Sequence, residues 1–79
     1  MEPSDIMTCD PNVLSGELVF TGTRVPVDTL FVYLASGDRL AEFLSDFPTV
    51  SKNQAVAAIQ LAKERLIHHR VGRPVESAA

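Results

Sequence analysis

The segment from Phe20 to Asp28 joins an apolar strand to a helix, and it constrains the fold more than any other part of the chain. Gly22 permits a backbone conformation that a side chain disfavours, and Pro26 suits a first helical turn because no N–H donor is needed there. Asp28 can accept hydrogen bonds from the free amides of that turn. The sequence therefore predicts a strand-to-helix junction with the structural motif Gly22, Thr23, Arg24, Pro26 and Asp28.

Arg24 is the residue of this junction that the strand-to-helix prediction explains least. We expect its guanidinium to be buried or half-buried and bonded to backbone carbonyls or to a carboxylate, with Asp10 and Asp28 as candidates. The planar fork of arginine, which lysine lacks, would then fix the junction.

The length of 79 residues indicates one domain, over residues 1–79, with a marginal core. A domain this small buries only about 60% of the surface of its unfolded chain. Cys9 is alone, so no intramolecular disulfide can form, and the adjacent His68 and His69 lack a metal-ligand motif. Burial in a partner is the remaining common remedy, and we therefore expect a homodimer.

The start of the chain has neither a basic nor an apolar signal region, and no window approaches the ~18 apolar residues of a membrane span. We expect a cytoplasmic protein without a membrane partner. Motifs of nucleophilic, phosphate-binding or paired-carboxylate catalysis do not stand out. The sequence thus predicts no enzyme, no catalytic residues, no metal, no cofactor and no small-molecule substrate.

The pattern of apolar residues predicts a mostly α fold that begins with short strands. Residues 6–25 contain two strands, Ile6–Cys9 and Glu17–Phe20, which form a β-hairpin or pair with the same strands of a second subunit. Residues 26–69 contain three helices. The first runs from Pro26 or Asp28 to Ser36 before Gly37, the second from Asp38 to Asp46 before Phe47-Pro48, and the third starts with a Ser51–Gln54 capping box. Residues 70–79 are expected to be a flexible basic tail.

The second and third helices have the layout of a helix-turn-helix, with a short helix, a tight turn and a longer helix with a polar start. On that interpretation the DNA-binding residues are Thr49, Ser51, Lys52, Asn53 and Gln60. The alternative is a helical hairpin that only closes the core. One lysine at the helix start favours this alternative, because a single positive charge attracts the DNA backbone only weakly. The stripe of Ala55, Ala58 and Ala62 on the third helix also has two interpretations, a dimer interface or the ordinary core of one chain.

Charge is unevenly distributed over the two parts of the chain. Residues 1–50 carry a net charge of −6 and residues 51–79 one of +3, within a total of −3. Such asymmetry indicates nucleic acid or an acidic protein as partner, although the acidic total predicts poor non-specific affinity for DNA. The basic run after Arg65 is either a solvated helix end or an arm that docks onto an acidic groove.

The order of motifs resembles the bacterial domain-of-unknown-function four-three-three family of small helix-turn-helix proteins. The resemblance runs from about Ile6 to Leu66 and rests on Asp10-Pro11, the Gly-Thr-Arg-Val-Pro-Val segment at 22–27, Gly37, Phe47-Pro48 and the alanine-rich third helix. Two departures are the missing proline in Gly16-Glu17-Leu18 and Leu61-Ala62 in place of a tyrosine-alanine pair.

This resemblance implies a dimeric, trihelical, homeodomain-like domain similar to the DNA-binding part of VapB-like antitoxins. It implies as partners a cognate toxin of the PIN-like ribonuclease class and operator DNA. Because such nucleases hold divalent metal with carboxylates, the basic residues Arg65, His69, Arg70 and Arg73 are the toxin-binding candidates. The alternative function is a dimeric protein-interaction module with no DNA binding, which the acidic net charge favours.

Overall fold

A two-stranded antiparallel hairpin forms the N-terminal part of the fold in the computed structural model, which describes residues 2–69 and residue 72. Strand β1 (Met7–Cys9) pairs with β2 (Leu18–Phe20), with Met7 opposite Phe20 and Cys9 opposite Leu18. The predicted strands are confirmed, each starting one residue later than expected, and they pair with each other within one chain. A single-turn helix, α1 (Pro3–Ile6), precedes β1 and was not predicted.

Three helices follow the hairpin, which confirms the mostly helical fold with a hairpin at its start. They are α2 (Val27–Ala35), α3 (Leu40–Asp46) and α4 (Lys52–His69). Gly37 has a φ of +88° and so adopts the left-handed conformation predicted for the stop after α2.

Helix α3 begins two residues later than predicted, because Arg39 takes the extended conformation of the residue before a helix. The Glu42 carboxylate accepts the backbone N–H of Arg39 at 3.1 Å. This bond satisfies a donor that the first helical turn would otherwise leave free. The helix ends before Phe47-Pro48, as predicted.

Helix α4 starts with the predicted capping box. The backbone N–H of Gln54 donates to Ser51 Oγ at 3.0 Å, and the backbone N–H of Ser51 donates to Gln54 Oε1 at 3.1 Å. These reciprocal bonds satisfy two of the donors at the helix start. The helix continues to His69, and the predicted tail over residues 70–79 lies outside the described residues except for Gly72.

The core is centred on aromatic rings from β2, α2 and α3. Phe20 and Phe43 are fully buried with their ring centroids 6.1 Å apart, and Tyr33 packs edge-on against Phe43 at 5.5 Å. Ala55 and Ala58 of α4 are buried in the same cluster. The first half of the alanine stripe is therefore ordinary core of a single chain.

The loop between the strands contains three successive residues with positive φ, which are Leu14 at 47°, Ser15 at 57° and Gly16 at 87°. Two short hydrogen-bonded turns hold it, with Gly16 N–H donating to the Val13 carbonyl and Glu17 N–H to the Leu14 carbonyl. Residues other than glycine rarely adopt this conformation, so Leu14 and Ser15 are positions of local backbone strain in the loop.

Candidate partner-binding surfaces

The predicted strand-to-helix junction is present, and Thr23 holds it together. Its hydroxyl donates to the Phe20 carbonyl at 2.8 Å and accepts the Val25 N–H at 3.0 Å. Phe20 N–H donates in turn to the Val25 carbonyl at 3.0 Å, and Gly22 has the left-handed φ of +80° that the turn requires. One threonine thus satisfies one carbonyl and one N–H of the turn.

The predicted role of Asp28 as a helix cap is wrong. Pro26 is the residue before the helix, where it also forms an isolated bridge with Val19, and Asp28 is the second residue of α2. No side chain caps this helix, and Asp28 is exposed. Pro26, which stands before the first turn, has no side-chain acceptor for the free amides and no N–H that an acidic residue inside the turn could bind in return.

The predicted burial of Arg24 is also wrong. Its side chain is exposed, and it makes no hydrogen bond or ion pair with any described residue. The Phe20 carbonyl, a possible acceptor for the guanidinium, already accepts the Thr23 hydroxyl, and the Thr21 carbonyl accepts the Gln54 amide. Asp10, one of the expected partners, instead accepts the backbone N–H of Asn12 at 2.9 Å.

Arg24 borders an open groove of about 610 Å³ on one face of the hairpin, here called the Arg24 groove. Its lining combines one cation, one carboxylate, hydroxyls and a valine floor. The lining residues are Thr8, Asp10, Val13, Val19, Gly22, Thr23, Arg24, Val25 and Thr49. The site can therefore offer an arginine fork and hydroxyl donors to an anionic group.

A second groove of about 510 Å³ lies on the other face of the hairpin, between the hairpin, α2 and α4. This apolar groove is lined by Met7, Leu18, Val27, Phe31, Ala58, Leu61, Ala62 and Arg65. The alternation of side chains along a strand explains the division, because Thr8 and Val19 face the Arg24 groove while Met7 and Leu18 face the apolar groove.

The last two turns of α4 are exposed at every residue from Lys63 to His69. The exposed fraction is 57% for Leu66 and 65% for Ile67. Arg65 and His69, two of the toxin-binding candidates, lie one helical turn apart and line one shallow hollow of about 220 Å³. The other two candidates, Arg70 and Arg73, lie outside the described residues.

The five predicted DNA-binding residues are all exposed. Thr49, Ser51, Lys52 and Asn53 lie together around the start of α4, while Gln60 lies two turns along the helix. Gln60 lines a separate hollow with Ile6 and Glu64, so a carboxylate lies beside it. Arg24 lines one groove with Thr49 and therefore lies near the start of α4. The sequence did not indicate Arg24 as a DNA-binding candidate.

A hydrogen bond between α2 and α3 supports the core from outside. The Tyr33 hydroxyl donates to the Asp46 carboxylate at 2.7 Å, and this bond is the main reason why the pKa of Tyr33 is raised above 10.0.

In residues 2–69 and 72, no three potential metal-ligating side chains are grouped together. Within the same part of the chain, no helix has the length and apolar character needed to cross a membrane.

Comparison with known proteins assigns a family to this arrangement. The family model described as "Protein of unknown function (DUF433)" matches residues 7–62. The chain belongs to the DUF433 family. It matches no curated protein and no solved structure.

The part of the chain that matches the DUF433 model coincides with the body of the fold. It starts at Met7, the first residue of β1, and ends at Ala62, the last residue of α4 that is not exposed. The exposed end of α4 follows that match. The DUF433 body therefore carries the Arg24 groove and most of the apolar groove, to which Arg65 of the exposed end of α4 also contributes.

Proposed function

We propose that this chain is the antitoxin of a bacterial toxin–antitoxin pair and neutralises a PIN-like ribonuclease through the exposed end of α4. The observation that carries the proposal is the exposure of Leu66 and Ile67 on a helix end that also bears Lys63 and Arg65. Adjacent large apolar side chains left in water are typical of a surface that a partner covers.

The charge of this surface suits the proposed partner. A PIN-like nuclease holds its metal with carboxylates, so its active site is acidic. Arg65 and His69 lie on one side of α4 and line the same hollow, together with His68 and one carboxylate, Glu64. An arginine can bind a carboxylate with two parallel hydrogen bonds, which supplies specificity as well as attraction. Leu66, roughly 100° around the helix from Arg65, adds an exposed apolar contact beside them.

The test is inhibition of the cognate PIN-like nuclease by the purified full chain. The double variant Arg65→Glu/His69→Glu should inhibit at least about tenfold more weakly, because like charges then meet across the interface. Arg39→Glu is the control, because Arg39 is exposed before α3 and does not belong to the end of α4. Full inhibition by the double variant would contradict the proposed docking.

Operator binding is the second part of the proposal, and Arg24 favours it. Helix α3, the turn at residues 47–50 and α4 follow each other in the order of a helix-turn-helix. Arg24 lies in one groove with Thr49, three residues before Lys52. The turn before α4 therefore has two cations available for phosphates rather than the single lysine that the sequence suggested.

A salt titration of binding to promoter DNA and to an unrelated duplex tests this second part. Loss of one phosphate contact reduces the salt slope by about 1, so Arg24→Ala and Lys52→Ala should each have that effect. Arg39→Ala, at the far end of α3, is the control. Equal, weak binding to both duplexes would favour the alternative, a dimeric interaction module without DNA binding.

A further inference from the structure

The apolar groove and the hollow at the end of α4 form one continuous surface, because Leu61 and Arg65 line both of them. The residues that α4 contributes to the groove are related by steps of three and four, so they lie on one face of the helix. They are Ala58, Leu61, Ala62 and Arg65. His68 and His69 continue that face by one turn into the hollow. Along α4 the surface therefore passes from apolar side chains to basic ones.

The charge of this surface defines what can cover it. Among the described residues that line the apolar groove, Arg65 alone is charged. The ion pair within the described part of the chain joins Arg39 and Glu42, so no described carboxylate pairs with Arg65. The hollow adds the imidazole donors of two histidines and one carboxylate, Glu64. A complementary occupant thus has an apolar face that ends in a carboxylate, which an arginine can bind with two parallel hydrogen bonds.

The backbone beside the groove favours a helix over an added strand as this occupant. A strand can add only where the N–H and C=O groups of a sheet edge are free. The outer edge of β2 is already paired, since Val19 forms a bridge with Pro26. The Met7 N–H of β1 donates to the Pro3 carbonyl of α1. A helix satisfies its own backbone and needs only side-chain contacts from the groove.

We infer that the apolar groove and the hollow bind an amphipathic helix of a protein partner. Apolar side chains of that helix fill the groove of about 510 Å³ between α4 and the hairpin, where Leu18 has 40% of its surface exposed. A carboxylate at the end of the same face binds Arg65. In the proposed antitoxin this helix belongs to the nuclease, and the inference rests on the proposed function for that assignment alone.

Two synthetic peptides of about 15 residues test the inference, since an isolated helix of that length begins to be stable in water. Both carry the same row of leucines at steps of three and four, which ends in two glutamates in the acidic peptide and in two lysines in the basic one. Fluorescence anisotropy with the full chain should show at least about fivefold tighter binding of the acidic peptide. Arg65→Glu should reverse this preference, because the charge at the end of the groove is then negative.

A variant of the hairpin wall tests the apolar part of the surface. Leu18→Glu should weaken binding of the acidic peptide by about tenfold or more, because a repelling charge replaces an apolar contact. Val32→Glu is the matched control, because Val32 is also an exposed apolar residue and lines neither the groove nor the hollow. Circular dichroism establishes that both variants are folded, which is expected at exposed positions.

Three results would overturn the inference. They are equal affinity of wild type for the two peptides, a preference that Arg65→Glu leaves unchanged, and no binding of the acidic peptide up to about 1 mM.

Inhibition of the nuclease separates this inference from the proposed function. If wild type does not inhibit the nuclease but shows the peptide preference and its reversal, the proposed function fails and the helix-binding surface is supported. If Leu18→Glu inhibits the nuclease as well as wild type does, the groove does not receive the nuclease and the inference is overturned, while docking through the end of α4 is unaffected.

Discussion

The side-chain amide of Gln54 donates to the Thr21 carbonyl at 3.0 Å, and this bond joins the start of α4 to the turn after β2. The same Nε2 also donates to the Asp5 carbonyl at 3.3 Å, and the amide oxygen Oε1 accepts the N–H of Ser51. Gln54 therefore connects α1, the hairpin and α4, in addition to its place in the capping box.

Replacement of this glutamine tests its structural role. Gln54→Ala should lower the free energy of unfolding by about 1–3 kcal/mol, because it removes the cap bond and leaves a part-buried carbonyl without a donor. Gln60→Ala on the same helix should stay within about 0.5 kcal/mol of wild type, since Gln60 is exposed. Urea unfolding measures both, and equal stability of the two variants would contradict the role given to Gln54.

Thr23 should be sensitive to loss of its hydroxyl and not to loss of its methyl group. Thr23→Val removes both bonds of the turn and should cost about 1–3 kcal/mol of stability. Thr23→Ser keeps the hydroxyl and should cost clearly less. Thermal melts at fixed protein concentration compare the two variants, and the hydroxyl is unimportant if Val and Ser melt together.

Arg24 should be dispensable for folding. Because its side chain is exposed, Arg24→Ala and Arg24→Lys should each stay within about 0.5 kcal/mol of wild type. The melting temperature is the measurement, with Thr23→Val as the destabilised reference. A large loss of stability in Arg24→Lys would restore the structural role that the sequence suggested.

The bond between Tyr33 and Asp46 should appear in the pH dependence of stability. The raised pKa means that folded Tyr33 holds its proton more tightly than unfolded Tyr33. Its contribution is therefore fully present below pH 10.0 and is lost as the pH rises through the folded pKa. The difference in stability between wild type and Tyr33→Phe should be constant at neutral pH and shrink in alkali. If the stability difference between the two proteins stays the same from neutral to strongly alkaline pH, the Tyr33–Asp46 bond does not contribute to the pH dependence of stability.

Phe43 should be the most costly aromatic to truncate. Phe43→Ala leaves a cavity where the rings of Phe20, Tyr33 and Phe47 meet, and about 3–5 kcal/mol of stability should be lost. That is a large fraction of what a domain of this size possesses. Val32→Ala, at a residue with 53% of its surface exposed, is the control and should be nearly neutral. Denaturant midpoints distinguish the two.

The sequence predicted the helices best where a local signal marks their ends. Gly37, Phe47-Pro48 and the Ser51–Gln54 box each act within a few residues, and each does in the structure what its chemistry predicts. The second role of Gln54 depends on carbonyls that are 33 and 49 positions away in the chain. Such a contact has no local signal, so the sequence alone could not predict it.

The candidate site was predicted less well, because exposure is a property of the whole fold. Arg24 was expected inside the junction, where Thr23 already supplies the hydrogen bonds. The position of Thr49 beside Arg24 depends on how α4 packs against the hairpin, which the spacing of neither residue encodes. The exposure of Leu66 could not be predicted either, because the periodicity of apolar residues in α4 does not show where the body of the fold ends.

The hairpin separates the two grooves, so a change in the length of its loop can change which strand side chains face each groove. A strand reverses its two faces with every single step of register. An insertion of one residue that shifted β1 against β2 by one position would turn Met7 toward the Arg24 groove and Thr8 toward the apolar one. Replacements at Leu14 or Ser15 change only the strain of the loop. Natural variation in this loop should therefore favour substitutions, or additions in pairs, because an odd addition exchanges the chemistry of two surfaces at once.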